Sequence, residues 1–354
     1  MIDNNPPSSH ILLPYDEIKK FVLPEYNLEN SIIEQIKFKD TDKQRAVYSI
    51  ISDSKKYCLK KVYYNKNDLL FVYSAAEWLY RYNIKVTRIL PTQNNSRFVL
   101  YNNMLFILMP WIEGKKCDYN NLSDILVSTK NLALMHKFTK NFIPITGSNI
   151  RYGLDDIYVS TKKHFDQILD FYNIANKIND KFSKILLENS EECIATAKIA
   201  LKASNKIHPE NLKKSLCHLD YVNKNLIFDD NNNLWVIDFD NCKIDFSVHD
   251  LSYSLRRILK RDGTNWDNGI LINTLNAYES INVLNLDEYL YILSYLAFPQ
   301  KFWKICKDYY RNIKKCNKSS FINLLKSSVK CKSSQLTFAE NFANYINGKF
   351  NTYI

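Results

Sequence analysis

Short apolar runs separated by polar, turn-forming residues dominate the first third of the chain. Ile32 to Phe38, Ala46 to Ser52 and Tyr57 to Val62 read as strands, with a turn at Ser52-Asp53-Ser54. Ile84 to Leu90, Arg97 to Tyr101 and Met104 to Met109 continue the series, the last two joined at Asn102-Asn103. Helical spacing appears in Ile11 to Leu23, which Pro24 should end, and in Asp68 to Tyr82, where Leu69, Tyr73, Ala76 and Tyr80 share one stripe. Further on helices predominate: Ser123 to Lys140 with Ser123 as N-cap, Leu154 to Lys177, Lys181 to Ser204, Leu251 to Lys260, and a succession from Trp266 to Ile354. Met1 to His10 reads as a loose arm. The order is that of an α+β protein.

One strand pattern interrupts the helical part. Asn225 to Phe228 and Leu234 to Ile237 flank a cluster of turn residues, Asp229 to Asn233, which predicts a β-hairpin. Just before it stand His218, Asp220 and Asn225 in the spacing H-x-D-x4-N, and just after it Asp238. Phosphoryl transfer needs a carboxylate to receive the proton of an attacking hydroxyl, and oxygen ligands to hold Mg²⁺ on nucleotide phosphates. Asp220 suits the first task. Asn225, opening one strand, and Asp238, closing its partner, would lie at the same end of the hairpin and suit the second.

These residues resemble the catalytic loop and metal-binding Asp of the protein-kinase-like fold, in the aminoglycoside phosphotransferase and choline kinase branch, which carries H-G-D-x4-N and then I-D-[FW]-[DEG]. With Trp111-Ile112-Glu113-Gly114 and Leu59-Lys60-Lys61, the chain is most similar within that branch to CotS-type bacterial spore coat proteins. The resemblance implies a small N-lobe with a mixed or antiparallel sheet over residues 1–109, a hinge at 110–114 and a larger helical C-lobe over 115–354. It implies that ATP and Mg²⁺ are used, that Asp220 is the base and that His218 supports its loop. Lys60 would steady the phosphates, held by Glu77 seventeen residues further on, although Lys61 competes for the role and a lone helical Glu can simply be solvated. An adenine would take backbone groups of the hinge, and because Pro110 has no N–H the donor would be Met109 or Trp111. His136 would be core packing. Asp250 would first be a helix N-cap and second a brace for the catalytic loop.

Two departures from the family pattern stand out. Leu219 replaces the Gly of H-G-D, and no Gly occurs from Met1 to Glu113, so Phe38 to Arg45 cannot supply a Gly-rich phosphate loop. The resemblance implies that this loop is commonly degenerate in CotS-type proteins. Two functions therefore compete: a phosphotransferase acting on a hydroxyl acceptor, small molecule or protein, and a catalytically inactive structural protein of the spore coat whose partners are other coat proteins.

Composition narrows the rest. No apolar run approaches the roughly eighteen residues of a membrane span, and Met1 to Leu13 lacks the pattern of a secretion signal, so a cytoplasmic protein, with spore coat as the other location, is expected. The eight Cys are scattered without metal-ligand spacing and read as free buried thiols. A net charge of +11 favours anionic partners. The lysines and rings between Lys301 and Lys318 could contact nucleic acid, but one helix can equally bury the rings and solvate the lysines, which is the preferred reading.

Overall fold

The computed structural model describes residues 13–39 and 45–354 and resolves them into two compact units. The N-terminal arm and Asp40 to Gln44, the heart of the segment that lacks glycine, lie outside the described residues. No described helix is long and apolar enough to cross a membrane.

The first unit takes in the chain up to residue 116 together with residues 142–151 and 224–242. Its centre is an antiparallel sheet of five strands, β1 (Ile32–Lys39), β2 (Arg45–Ser52), β3 (Lys55–Val62), β4 (Val99–Tyr101) and β5 (Met104–Pro110), in the order β1-β2-β3-β5-β4. Alternation along the strands sorts side chains between two cores. Leu59, Phe106 and Leu108 pack with Tyr48 and Ile50 against Ile18, Val22 and Leu23 on one face. Val62, Leu105 and Ile107 pack with Leu69 and Ile89 on the other. Each such side chain fully removed from water contributes about 1.5–3 kcal/mol. The β4–β5 turn is built on Asn102 and Asn103, at φ 48° and 57°, as the pattern predicts.

The first helix does not stop at Pro24. It opens at Tyr15–Glu17, widens into a π-helical turn over Ile18–Val22 and tightens into a 3-10 turn over Leu23–Tyr26, where Pro24 needs no N–H partner; Asn27, at φ 57°, ends it. Nor is Ile84 to Leu90 a regular strand. Its backbone is divided between two neighbours: Val86 bridges Val236, while the Leu90 N–H donates to Leu108 O at 2.8 Å.

The predicted hairpin forms, with Leu226–Phe228 paired to Leu234–Val236 and Lys115–Lys116 added along its edge. Asp229 organises the turn by accepting from the N–H groups of Asn231 and Asn233 and from Trp235 Nε1. Gly114 is forced where the added strand begins: its φ is +146°, and a Cβ there would lie 2.2 Å from the Phe228 carbonyl oxygen. Residues 142–151 dock on the helix Lys66–Arg81, with Phe142 edge-on to Phe71 and Trp78.

The second unit comprises residues 117–141, 152–223 and 243–354 and is helical apart from the antiparallel pair Lys214–Cys217 and Lys243–Phe246. The helix Leu286–Ala297 runs through its core and opens with a reciprocal cap between Asn285 and Glu288. Three boundaries differ from expectation. Asn121, not Ser123, caps Leu122–Phe138; the stretch 181–204 breaks at Asn189 into Lys181–Glu188 and Ser190–Ser204; and the helix expected from Leu251 starts at Ser247. In Gln300–Arg311, Phe302, Trp303 and Tyr309 are buried while Lys301 and Lys304 face solvent.

Candidate functional site

Lys60, on β3, is the centre of the first constellation. Its Nζ lies 2.7 Å from Asp238 Oδ1 and 2.7 Å from Asp240 Oδ1, with only 7% of the side chain exposed. Burial works against the ammonium charge, but Asp240 and then Asp238 overturn that penalty and hold its pKa above the ordinary lysine value. Of the two adjacent lysines, Lys60 is the one that meets these acids. Two carboxylates reach one amine because Asp238 adopts φ 67°, in the left-handed region that Asp tolerates, and opens the 3-10 turn Phe239–Asn241. The role of Asp240 depends on that turn, so sequence reasoning, which saw the residue in Ile237-Asp238-Phe239-Asp240, gave it none. Tyr64 Oη donates to Asp240 Oδ1 at 3.2 Å, and Arg151 donates to the Asp240 carbonyl at 2.8 Å.

Lys60 and Asp238 lie at the polar end of a cavity of about 220 Å³, with Asn225 beside them and Met109, Pro110 and Trp111 further along. Val47, Ile112, Ile227 and Ile237 give it apolar walls. The hairpin sets Asn225 opposite the start of this acidic turn, since the Ile237 N–H donates to the Asn225 carbonyl at 3.0 Å. Cys58 also lines the cavity, and burial pushes its thiol up to about 11.

Two expectations need correction. Glu77 does not hold Lys60: its carboxylate grips Arg88, from Nε at 2.8 Å and Nη2 at 2.7 Å. A guanidinium fork matches both carboxylate oxygens at once, whereas Lys60 already has two acids. Trp111 is not a spare hinge donor either, because its N–H continues the β3–β5 ladder to Lys56 O at 3.1 Å. In an extended chain successive residues present their backbone groups to opposite edges, which turns the Pro110 carbonyl and the Ile112 N–H away from β3.

His218 and Asp220 belong to the second unit, where the strand Lys214–Cys217 runs into their loop. Leu219 sits at φ 57°, so the backbone form that Gly would favour is kept by a residue that must bear its strain. Asp250 holds it there. Rather than capping a helix, Asp250 lies inside Ser247–Leu259, fully buried, and accepts from His218 N–H at 2.7 Å and Leu219 N–H at 2.9 Å. His136 is more than packing: its Nε2 is 3.3 Å from Asp250 and its Nδ1 2.8 Å from Tyr278 Oη. Burial alone would raise the Asp250 pKa; the hydrogen bond and charge of His136, with His218, bring it below the ordinary value. Cys217 lies close by as well, and both Asp250 oxygens accept from donors of this loop, so the aspartate acts as its brace. The Asp220 N–H donates to His218 Nδ1 at 3.2 Å, and Tyr253 Oη donates to Asp220 Oδ1 at 3.3 Å.

Comparison with known proteins bears directly on these elements. Spore coat protein S of Bacillus subtilis (strain 168) is 20% identical over 290 residues, covering 80% of this chain and 82% of that protein. The aminoglycoside phosphotransferase from Alicyclobacillus acidocaldarius has a similar structure, with a TM-score of 0.78 at 17% identity over 96% of this chain and 98% of that one. A spectinomycin phosphotransferase in complex with ADP and spectinomycin aligns with a TM-score of 0.63 at 18% identity, over 90% and 97% of the two chains. At such identities the shared feature is the fold, and it is the protein-kinase-like one. The model of the phosphotransferase enzyme family matches residues 41–284, a range that contains β3, the hairpin, the His218 loop and the helix that bears Asp250, and the chain therefore belongs to that family.

Proposed function

We propose that this protein is a kinase-like phosphotransferase that moves the γ-phosphoryl of ATP to a hydroxyl acceptor and is associated with the spore coat. The observation that carries the reading is the buried Lys60 ammonium, ion-paired to Asp238 and Asp240 at the end of an apolar cavity that Asn225 also lines. An amine held charged in that position is suited to phosphate oxygens, and the apolar walls to a nucleobase. The carboxamide of Asn225 and the carboxylate of Asp238 form a hard oxygen donor set that fits Mg²⁺, which when bound neutralises phosphate charge. Lys60 would share its charge between Asp238, Asp240 and the phosphates. The Pro110 carbonyl and Ile112 N–H would take the adenine edge. Asp220 would receive the acceptor's proton, on a loop whose backbone is fixed by Asp250. The resemblance to spore coat protein S supports the location.

Thermal melting tests the nucleotide half of this reading. Mg²⁺ and ATP at a hundred times the dissociation constant add about 2.7 kcal/mol, a rise of about 3–4 °C for a chain of this size. Lys60→Met and Asp238→Asn should abolish the rise, while Asp220→Asn should keep it and lose transfer of label to acceptors in a spore extract. Absence of any rise at millimolar nucleotide would favour the second reading, an inactive coat scaffold, for which the lack of glycine from Met1 to Glu113 speaks.

A further inference from the structure

The helix Ser247–Leu259 has a face that phosphoryl transfer alone leaves unused. Val248, Leu251, Leu255 and Ile258 bury one side of it. His249, Tyr253, Arg256, Arg257 and Lys260 recur at three- and four-residue spacing, so they share another. That stripe leads away from Asp220. Tyr253 Oη donates to Asp220 Oδ1 at 3.3 Å, and Arg257 Nη2 donates to Tyr253 Oη at 2.9 Å. The Arg256 guanidinium lies 4.2 Å from the Tyr295 ring centre and donates to the Phe298 carbonyl at 3.4 Å, while its Nε is buried without a hydrogen-bond partner. The polar contacts of the two guanidiniums are with a hydroxyl and a carbonyl, and neither forms an ion pair among the described residues. Lys260 adds to this field: burial, then Arg257, Arg256 and Lys301, lower its pKa.

Building on the phosphotransferase reading, we propose that Arg256 and Arg257 select an acceptor that carries an anionic group, a hydroxylated small molecule bearing a carboxylate or phosphate near the hydroxyl to be phosphorylated. A hydroxyl placed on Asp220 has Tyr253 and, bonded to that tyrosine's hydroxyl, Arg257 as its next neighbours on this helix, with Arg256 the preceding residue. Guanidinium forks without a carboxylate partner, each lying over a tyrosine ring, match carboxylate and phosphate oxygens and repel a polycation. In the transfer, the acceptor oxygen bonds to the γ-phosphorus as the bond to the β,γ-bridging oxygen breaks. ADP departs, the hydroxyl proton goes to Asp220, and the anionic group stays on the arginines unchanged.

Calorimetric titration with glycerol 3-phosphate, gluconate, glycerol and kanamycin, with and without Mg²⁺ and a non-hydrolysable ATP analogue, tests this and separates phosphate from carboxylate recognition. At least one of the two anions should bind tenfold or more tightly than glycerol, and kanamycin should bind more weakly than that anion. Arg257 is exposed, so its variants should fold. Arg257→Ser should weaken anion binding about tenfold without changing the melting shift given by nucleotide, and Arg257→Glu should make kanamycin the better ligand. Kanamycin binding the unmodified protein more tightly than either anion, or anion affinity unmoved in both variants, would overturn the proposal. Anion binding without any nucleotide binding would uphold the arginine site and sink the phosphotransferase reading.

Discussion

Replacing Asp250 by Asn exchanges one oxygen for an NH₂ group and should be costly. The carboxylate accepts three donors: Oδ2 from His218 N–H at 2.7 Å and His136 Nε2 at 3.3 Å, and Oδ1 from Leu219 N–H at 2.9 Å. An amide presents one oxygen, so its NH₂ must face an N–H in a fully buried site. Losing one or two charge-assisted hydrogen bonds at about 1.5–3 kcal/mol each, with a donor left against a donor, gives a destabilisation of about 3–5 kcal/mol. With an unfolding entropy of about 2.1 cal/mol/K per residue, melting should fall by about 4–7 °C. The pH dependence follows from the sign of the shift. Asp250 titrates below its ordinary value in the folded protein, against the penalty of burial, because His136 and His218 favour its charge. Its contribution is present above the unfolded value of about 3.9 and is lost as pH falls through the folded one. The gap between the two proteins should therefore narrow as pH falls through the acid range. His136→Ala combined with Asp250→Asn should cost less than the sum of the single changes. A loss under about 1 kcal/mol, or a gap that persists undiminished at low pH, would refute the brace.

Three further outcomes follow from particular side chains. Leu219→Gly removes the strain of φ 57° at the cost of greater freedom in the unfolded chain, and should stabilise by about 0.5–1 kcal/mol in urea unfolding. Burial lowers the His249 pKa, but its 2.9 Å contact with Asp245 raises it above the ordinary value overall; that stability is complete below about pH 6.5 and is lost as pH rises through the folded value, so His249→Gln should flatten the decline in melting temperature towards alkaline pH. Glu77→Gln should cost under about 1 kcal/mol, because the Arg88 side chain is 40% exposed, and should leave the nucleotide melting shift intact where Lys60→Met removes it.

The five strands of the main sheet, the hairpin and the order of elements were legible because period-two and helical patterns act over a few neighbouring residues. The acidic turn after the hairpin was half legible. Asp238 followed from its place at a strand end, but the ion pair of Asp240 required a left-handed residue that no pattern marks. Glu77 illustrates the opposite failure: its spacing from Lys60 was right, yet Arg88, eleven residues on, offered a better match to the same carboxylate. His136 read as core because the resemblance makes its helix a packing element, and only coordinates show its imidazole serving Asp250. The boundary at Ser123 was missed because the Asn121 side chain reaches a free N–H first; the break at Asn189 and the start at Ser247 carry no such side-chain cap that a pattern could mark.

The first unit is discontinuous along the chain, since it needs residues 224–242 as well as those before 117. During synthesis the sheet therefore emerges well ahead of the acids that neutralise Lys60 and of the hairpin that completes its cavity. At about 5–20 residues per second that wait is on the order of 6–25 s. A nascent chain released early, at residue 200 for instance, would carry an unneutralised ammonium on β3 and bare apolar strand surface, making it a natural client for chaperones and a fragment that cells should find hard to accumulate.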